Sequence, residues 1–252
     1  MPSIPVYEHI MRMLTSQHAW TPDDVWGQHD FTRTGAQGDT SLLGMIRRGF
    51  GDEALDDASS FAKYSQFICF NGYRAMFEAN NVNRYGLLLW MSHSAWPSLA
   101  WQTYDYWFGK NGAFYGSKLG AEPLHIQFNT ATLKIEVVNT GIGDKDGLTA
   151  SVKLIDSSGK ETYSKTAPVS IREDETLDAI DVSDIPDGLC VMRLSLTDAS
   201  GKEISHNVYI KNFENKRDNG DWRGLVGTDV LEDVFNRGSS YIFFAVSSNS
   251  SA

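Results

Sequence analysis

Several features are missing from this sequence of 252 residues, and each absence excludes a class of protein. No apolar run reaches about 18 residues, so no membrane-spanning helix is expected. Only Cys69 and Cys190 are present, which rules out a disulfide framework and predicts two free thiols. The net charge is -10 and no Lys/Arg cluster occurs, so nucleic acid is an unfavourable partner. Met1–Leu14 lacks the basic start and apolar core of a signal peptide.

The tryptophans mark a boundary in the chain. Six of the seven lie before position 108, and Leu119–Lys211 has none. Apolar residues at three- and four-residue spacing predict one helix that begins after Pro5 and a longer helix over Asp52–Asn80. Between them, the aperiodic segment Thr15–Asp39 predicts a long loop, and loops of this length are often functional.

A short segment in the first region has the pattern of a buried strand. Tyr85–Met91 is apolar on both alternating faces, which is typical of a strand in a parallel sheet covered by helices. The polar segment Ser92–Ser98 follows, and Leu99–Phe108 is then predicted as a helix. This order of helix, buried strand, loop and helix predicts an α/β architecture for residues 1–118.

The second region, residues 119–213, has the pattern of an all-β domain. Two similar turns, Asp156–Lys160 and Asp198–Lys202, each contain a Gly that suits a hairpin. Alternating strands separated by regular turns predict an Ig-like β-sandwich. The tail, 214–252, is weakly patterned and is assigned as a tail or the start of a further domain, with a short helix predicted at Val230–Phe235 and a strand at Tyr241–Val246. The predicted strands are Leu124–Phe128, Leu133–Val138, Leu148–Ile155, Thr162–Thr166, Thr176–Val182, Cys190–Leu196 and Glu203–Ile210.

A family resemblance covers roughly residues 1–213. From Trp90 to Phe128 the sequence reads WMSHSAWPSLAWQTYDYWFGKNGAFYGSKLGAEPLHIQF. This segment is similar to the end of the catalytic barrel in glycoside hydrolase family 2, in the branch of exo-β-glucosaminidases and β-mannosidases. PSIPVYEHIMRML, PDDVWGQHD and NGYRAMFEA fit the same family. The resemblance implies a terminal segment of a (β/α)8 TIM barrel followed by an Ig-like β-sandwich.

The resemblance also implies an activity and its limits. The family contains retaining exo-β-glycosidases that release terminal β-linked glucosamine, mannose or galactose, and it favours a periplasmic or secreted location. Its nucleophile Glu lies a few residues before the Pro-Ser-Ile-Pro segment, and its acid/base Glu lies further upstream. We therefore expect no catalytic residue in these 252 residues, no activity of the chain alone, and a missing N-terminal portion of the parent enzyme as its partner.

The remaining candidates are residues for sugar recognition. Pyranose rings stack on aromatic side chains, and barrel enzymes build their sites at the carboxyl ends of strands. The resemblance makes Trp90, His93 and Trp96 the leading wall residues. A second set, Trp26, His29 and Asp30, lies in the long loop.

Other interpretations stay open for these residues. Tryptophans are commonly core residues. For Trp96 the pocket and the core are equally favoured, whereas Trp90 is expected near the pocket. No carboxylate pair stands out, Asp30 being the best placed acid, and no cofactor or metal is expected. The alternative to an enzyme part is a non-catalytic carbohydrate-binding or structural Ig-like module.

Overall fold

The computed structural model describes residues 3–30, 42–79, 86–99 and 101–237. These residues form two compact units. The first comprises the described residues within Met1–Ala75, Leu88–Ser117 and Glu232–Ala252, and the second those within Met76–Leu87 and Lys118–Leu231. The first unit is helical with irregular segments, and the second is built from antiparallel sheets.

The helices agree with several of the sequence predictions. The helix after Pro5, most of the helix predicted over Asp52–Asn80 and the helix at Val230–Phe235 are confirmed. No helix in the described part of the chain is long and apolar enough to cross a membrane. The α-helices are α1 (Tyr7–His18), α2 (Asp24–His29), α3 (Leu42–Phe50), α4 (Ala58–Glu78), α5 (Gly112–Gly120) and α6 (Asp229–Arg237), with 3-10 turns at Asp52–Leu55 and Arg223–Leu225.

Helix α4 carries the core of the first unit. Its apolar stripe includes Phe61 and Phe67, which are fully buried. Its Gln66 side chain donates to the carbonyl of Pro5 (2.8 Å) and accepts the backbone N–H of Gly112 (2.7 Å) at the start of α5. A buried amide that is satisfied on both sides fixes the chain start and α5 against α4.

The segment predicted as one long loop is partly helical. Ser16–His18 extends α1 beyond a kink at Thr15, whose backbone angles are not helical (φ 61°), and Asp24–His29 forms α2. The Asp23 carboxylate caps α2, because it accepts the backbone N–H groups of Val25 (2.9 Å) and Trp26 (3.3 Å). Residues 31–41 lie outside the described part of the chain.

The α/β prediction for the first region is wrong in its strand and in its last helix. The described residues of Tyr85–Met91 form no strand, and Leu88 is 98% exposed. A strand buried on both faces needs paired neighbours and covering layers, and the described residues supply no parallel sheet. The described residues of Leu99–Phe108 form no helix, and Trp101 (φ 56°) and Phe108 (φ 62°) adopt left-handed backbone angles that interrupt an α-helix.

All seven strands predicted in the second region are confirmed within a few residues. One sheet has the order β1-β2-β5, and the other has the order β4-β3-β6-β7-β8. Apolar side chains from both sheets form one core, which includes Ile126, Val137, Val152 and Leu194. This is a β-sandwich with antiparallel neighbours. The strands are β1 (Leu124–Asn129), β2 (Lys134–Asn139), β3 (Lys145–Ile155), β4 (Glu161–Ile171), β5 (Glu175–Asp181), β6 (Gly188–Thr197), β7 (Glu203–Glu214) and β8 (Arg217–Asp218).

The two similar turns form hairpins, as their sequences predict. Asp156–Lys160 joins β3 to β4, and Asp198–Lys202 joins β6 to β7. Gly159 (φ 86°) and Gly201 (φ 82°) supply the positive φ of each turn. The chain after β7 continues within the second unit as far as Leu231, whereas the strand predicted at Tyr241–Val246 lies outside the described residues.

Candidate functional site

Two segments that are distant in sequence meet at the surface of the first unit. The His29 ring, at the end of α2, stacks on the Trp96 indole with a centroid distance of 5.2 Å and an interplanar angle of 18°. His29 Nδ1 lies 2.9 Å from the Pro97 carbonyl oxygen. The Leu99 N–H donates to the His29 carbonyl (2.9 Å). Backbone and ring contacts therefore join the predicted loop residues His29 and Trp96 into one platform.

Buried hydroxyl and amide groups hold the Trp96 loop from beneath. Ser94 Oγ and Ser98 Oγ lie 3.0 Å apart, and Ser94 also bonds the Gln102 side chain. Gln102 Nε2 donates to the Ser98 carbonyl (2.8 Å), and the Gln102 N–H donates to Ser3 Oγ (2.7 Å). These polar groups are buried and hydrogen-bonded, so they stabilise a backbone that lacks the regular hydrogen bonds of a helix or sheet. The sequence prediction missed these buried hydrogen bonds, although a serine near each end of the loop indicates them.

Several other aromatic rings of the first unit are exposed. Trp90 is 78% exposed and Trp96 is 46% exposed, so both indoles present a face to solvent. His93 stacks on Phe108 with a centroid distance of 4.4 Å and an interplanar angle of 14°, and Phe108 is 71% exposed. The His93 ring also lies nearly parallel to that of Tyr106. Exposed aromatic rings in this number are unusual on a protein surface.

Two predicted site residues lie in the interior instead. Trp26 is fully buried between the rings of Trp20 and Phe61, and its Nε1–H donates to the His18 carbonyl (2.6 Å). Asp30 is also fully buried. Neither side chain has an exposed surface that a sugar could contact, so their role in sugar binding stays a prediction.

The chain resembles known enzymes along most of its length. No protein-family model matches it. An exo-β-D-glucosaminidase from Amycolatopsis orientalis is 32% identical over 239 residues, which cover 88% of this chain. The structure of an exo-chitosanase from the same organism, in complex with PNP-β-D-glucosamine, superposes with a TM-score of 0.71 at 28% identity and covers 84% of this chain. A mannosylglycoprotein endo-β-mannosidase from Lilium longiflorum is 30% identical over 57% of this chain.

The chain is related to the exo-β-D-glucosaminidases and β-mannosidases of glycoside hydrolase family 2. The relation covers only part of those enzymes. This chain spans 22% of the Amycolatopsis glucosaminidase, 15% of the Lilium mannosidase and 26% of the exo-chitosanase chain.

Retaining family 2 chemistry requires two carboxyl groups about 5 Å apart, one nucleophilic and one protonated. The Asp105 side chain is hydrogen-bonded to other parts of the first unit. Its buried carboxylate lies 2.6 Å from His9 Nδ1 and accepts the backbone N–H groups of Trp107 (3.0 Å) and Gly109 (2.8 Å). A carboxylate held by three donors shapes the turn and is unsuited to attack a sugar.

Asp23 and Glu8 are two other acidic side chains of the first unit. Asp23 caps α2 and pairs with His18 (2.6 Å). Of the interactions that lower the pKa of Asp23, this hydrogen bond has the largest effect. Glu8 is exposed on α1. Among the described residues, no group of three or more His, Cys, Asp and Glu side chains is arranged to hold a metal ion.

Proposed function

We propose that this chain supplies part of the sugar-binding wall of an exo-acting β-glycosidase that releases terminal β-linked glucosamine, or a related hexose such as mannose or galactose. The observation that carries the proposal is the half-exposed Trp96 indole, held flat by the His29 ring at 5.2 Å. A pyranose presents a flat C–H face that packs on such an indole. A ring that is already immobilised loses little side-chain entropy when the sugar binds.

Glucosamine is the favoured sugar for two reasons. The Amycolatopsis relative is an exo-β-D-glucosaminidase, and the related exo-chitosanase structure contains PNP-β-D-glucosamine. The net charge of -10 also favours a cationic amino sugar over a neutral hexose, because an acidic surface concentrates cations around it. We infer that glucosamine and its oligomers bind more tightly than mannose.

Bond cleavage is proposed to require residues outside these 252. Asp105 and Asp23 are engaged as described, and Asp30 is buried. The partner is then a polypeptide that carries the nucleophile and the acid/base carboxyl, as the family resemblance implies. By itself the chain is expected to bind sugar weakly and not to hydrolyse it.

Sugar titration of the purified chain, followed by ligand-observed NMR and calorimetry, tests this proposal. We expect D-glucosamine to bind with a Kd of about 1 mM or weaker, which corresponds to roughly -4 kcal/mol. Trp96→Ala is expected to abolish binding, and Trp96→Phe to retain part of it, because a phenyl ring still offers a flat face. Trp222→Phe, in the second unit, is the matched control and is expected to bind as the parent does.

Equal binding by the parent and Trp96→Ala would contradict the proposed wall. No binding of glucosamine, mannose or chitosan oligomers would favour a structural role for the chain. Circular dichroism of each variant separates a lost contact from a lost fold.

A further inference from the structure

A buried cluster in the second unit joins the last turn of α4 to the β-sandwich. Residues 76–79 of this turn belong to the second unit. One oxygen of Glu78, Oε1, accepts from Asn207 Nδ2 (2.7 Å) and from the Tyr209 hydroxyl (2.9 Å), and it lies 3.2 Å from His125 Nε2. Three groups from β1 and β7 thus converge on one carboxylate oxygen. Gln127 Nε2 also donates to the Glu78 carbonyl (3.4 Å), so side-chain and backbone oxygens of Glu78 both attach the turn to the sandwich.

The other ring nitrogen of His125 faces a second carboxylate. His125 Nδ1 lies 3.3 Å from Glu122 Oε2, and the Ser205 hydroxyl donates to the same oxygen (2.9 Å). The His125 side chain is 2% exposed, so water does not replace either contact. A buried imidazole therefore stands between two carboxylates, one from α4 and one from the segment before β1.

The number of protons on the His125 ring decides which hydrogen bonds this cluster can form. A neutral imidazole has one N–H, whereas an imidazolium has two. Both nitrogens of His125 face carboxylate oxygens, so only the imidazolium donates on both sides. Burial alone would lower the pKa of His125, but the hydrogen bonds and charges of Glu122 and Glu78 outweigh it and raise that pKa above the ordinary value.

The surrounding groups are accounted for among the described residues. On β2, the Glu136 carboxylate accepts from Gln127 (2.7 Å) and Asn129 (2.7 Å). On β7, the Tyr209 hydroxyl donates to Glu78 and accepts the Phe128 N–H (3.1 Å). The uncharged Asn207 amide nitrogen also lies 3.4 Å from His125 Nε2. The charged groups that face the His125 ring are the two carboxylates that flank it.

We propose that Glu78, His125 and Glu122 form a proton-dependent clasp that holds the last turn of α4 on the sandwich. The clasp is closed while His125 carries both ring protons. When one proton leaves, one carboxylate faces a ring nitrogen lone pair, and the buried charges are no longer balanced.

The direction of the pH dependence follows from the raised pKa. The contribution of the clasp is fully present below the unfolded-state pKa of His, about 6.5, and it is lost as the pH rises through the higher folded-state value. We therefore expect residues 76–79 to be held more firmly under mildly acidic conditions than under alkaline ones.

Two measurements on the full chain test the clasp. Nitrogen-15 NMR of the ring nitrogens is expected to show His125 doubly protonated at pH 6. Amide exchange is expected to show protection factors at residues 76–79 that fall about tenfold per unit of raised pKa between pH 6 and 9. His125→Gln is expected to abolish this fall. His206→Gln is the matched control, because His206 also pairs with a glutamate, Glu203 (3.0 Å), but is partly exposed; it is expected to leave the fall unchanged.

Three results would overturn the proposal. The first is a His125 ring that is singly protonated throughout pH 5–9. The second is a pH dependence of exchange at residues 76–79 that persists in His125→Gln. The third is a loss of that dependence in His206→Gln. The nitrogen-15 measurement uses the unmodified chain and decides the matter even where His125→Gln fails to fold.

Discussion

The contact between α4 and α5 leads to a stability prediction with an internal control. Helix α5 has glycine at the two positions that meet α4. A Cβ at Gly116 would lie 2.2 Å from the Phe70 carbonyl oxygen and 3.0 Å from the Arg74 nitrogen. Both obstacles are backbone atoms of a helix, so neither rotates away. Gly116→Ala therefore requires the two helices to separate by about 1 Å, since interiors are close-packed.

Overpacking of a close-packed contact costs about 1–3 kcal/mol. The obstacle here is rigid backbone, which favours the upper end of that range. The higher intrinsic helix preference of Ala than of Gly offsets up to about 1 kcal/mol of this cost. We therefore expect a net loss of roughly 1–2 kcal/mol in the free energy of unfolding. This corresponds to roughly 2–8 °C in Tm for a chain of this size.

Gly27→Ala in α2 is the matched control. A Cβ at Gly27 meets nothing within 4 Å, so only the helix preference changes. This variant is expected to gain up to about 1 kcal/mol. Urea unfolding followed by tryptophan fluorescence is suitable, because six of the seven tryptophans lie in the first unit. A Gly116→Ala variant as stable as the parent, or both variants shifted in the same direction, would refute the close approach of the two helices.

Three further predictions concern single groups. Gly201→Ala forces a left-handed backbone angle and should lower the free energy of unfolding by about 1–2 kcal/mol, whereas Gly201→Asn should cost less, as urea titration would show. Burial raises the pKa of Cys69 and Cys190 to about 12, so disulfide reagents should label both at pH 8 only as fast as the chain unfolds. Asp105→Ala leaves buried donors unpaired and should cost at least 2 kcal/mol by calorimetric unfolding, more than Asp105→Asn.

The sandwich was predictable because its signals are local. Alternation from Met192 to Leu196 places the side chains on two faces, and the Gly in each Asp-x-Ser-Gly-Lys turn fixes where the chain reverses. Both signals act within a few residues, so strand boundaries agree closely with the structure.

The first unit was less predictable because its structure depends on distant partners. Tyr85–Met91 has the composition of a buried strand, but a strand forms only where neighbouring strands pair with it. The helix predicted over Leu99–Phe108 fails for a different reason. The Gln102 and Asp105 side chains bond outward to Ser94 and His9. The Gln102 backbone N–H donates to Ser3 Oγ, and together these bonds hold an irregular backbone that local spacing does not reveal.

For the candidate site, residue types were easier to predict than their exposure. The resemblance pointed to both His29 and Trp96, which the structure brings into contact. Trp26 belongs to the same predicted set and yet lies in the core, because burial of an indole depends on which rings surround it. Phe108 was assigned to a helix, and its exposed ring beside His93 follows from an irregular backbone.

The central claim is that this chain offers a sugar-binding surface without the carboxylates that cleave the bond. Hydrolysis of aryl β-glycosides by the purified chain, measured by the release of the phenol, tests that claim most directly. The predicted result is no release above the buffer rate with glucosaminide, mannoside or galactoside substrates. Turnover by the chain that is lost in Asp30→Asn would contradict the claim.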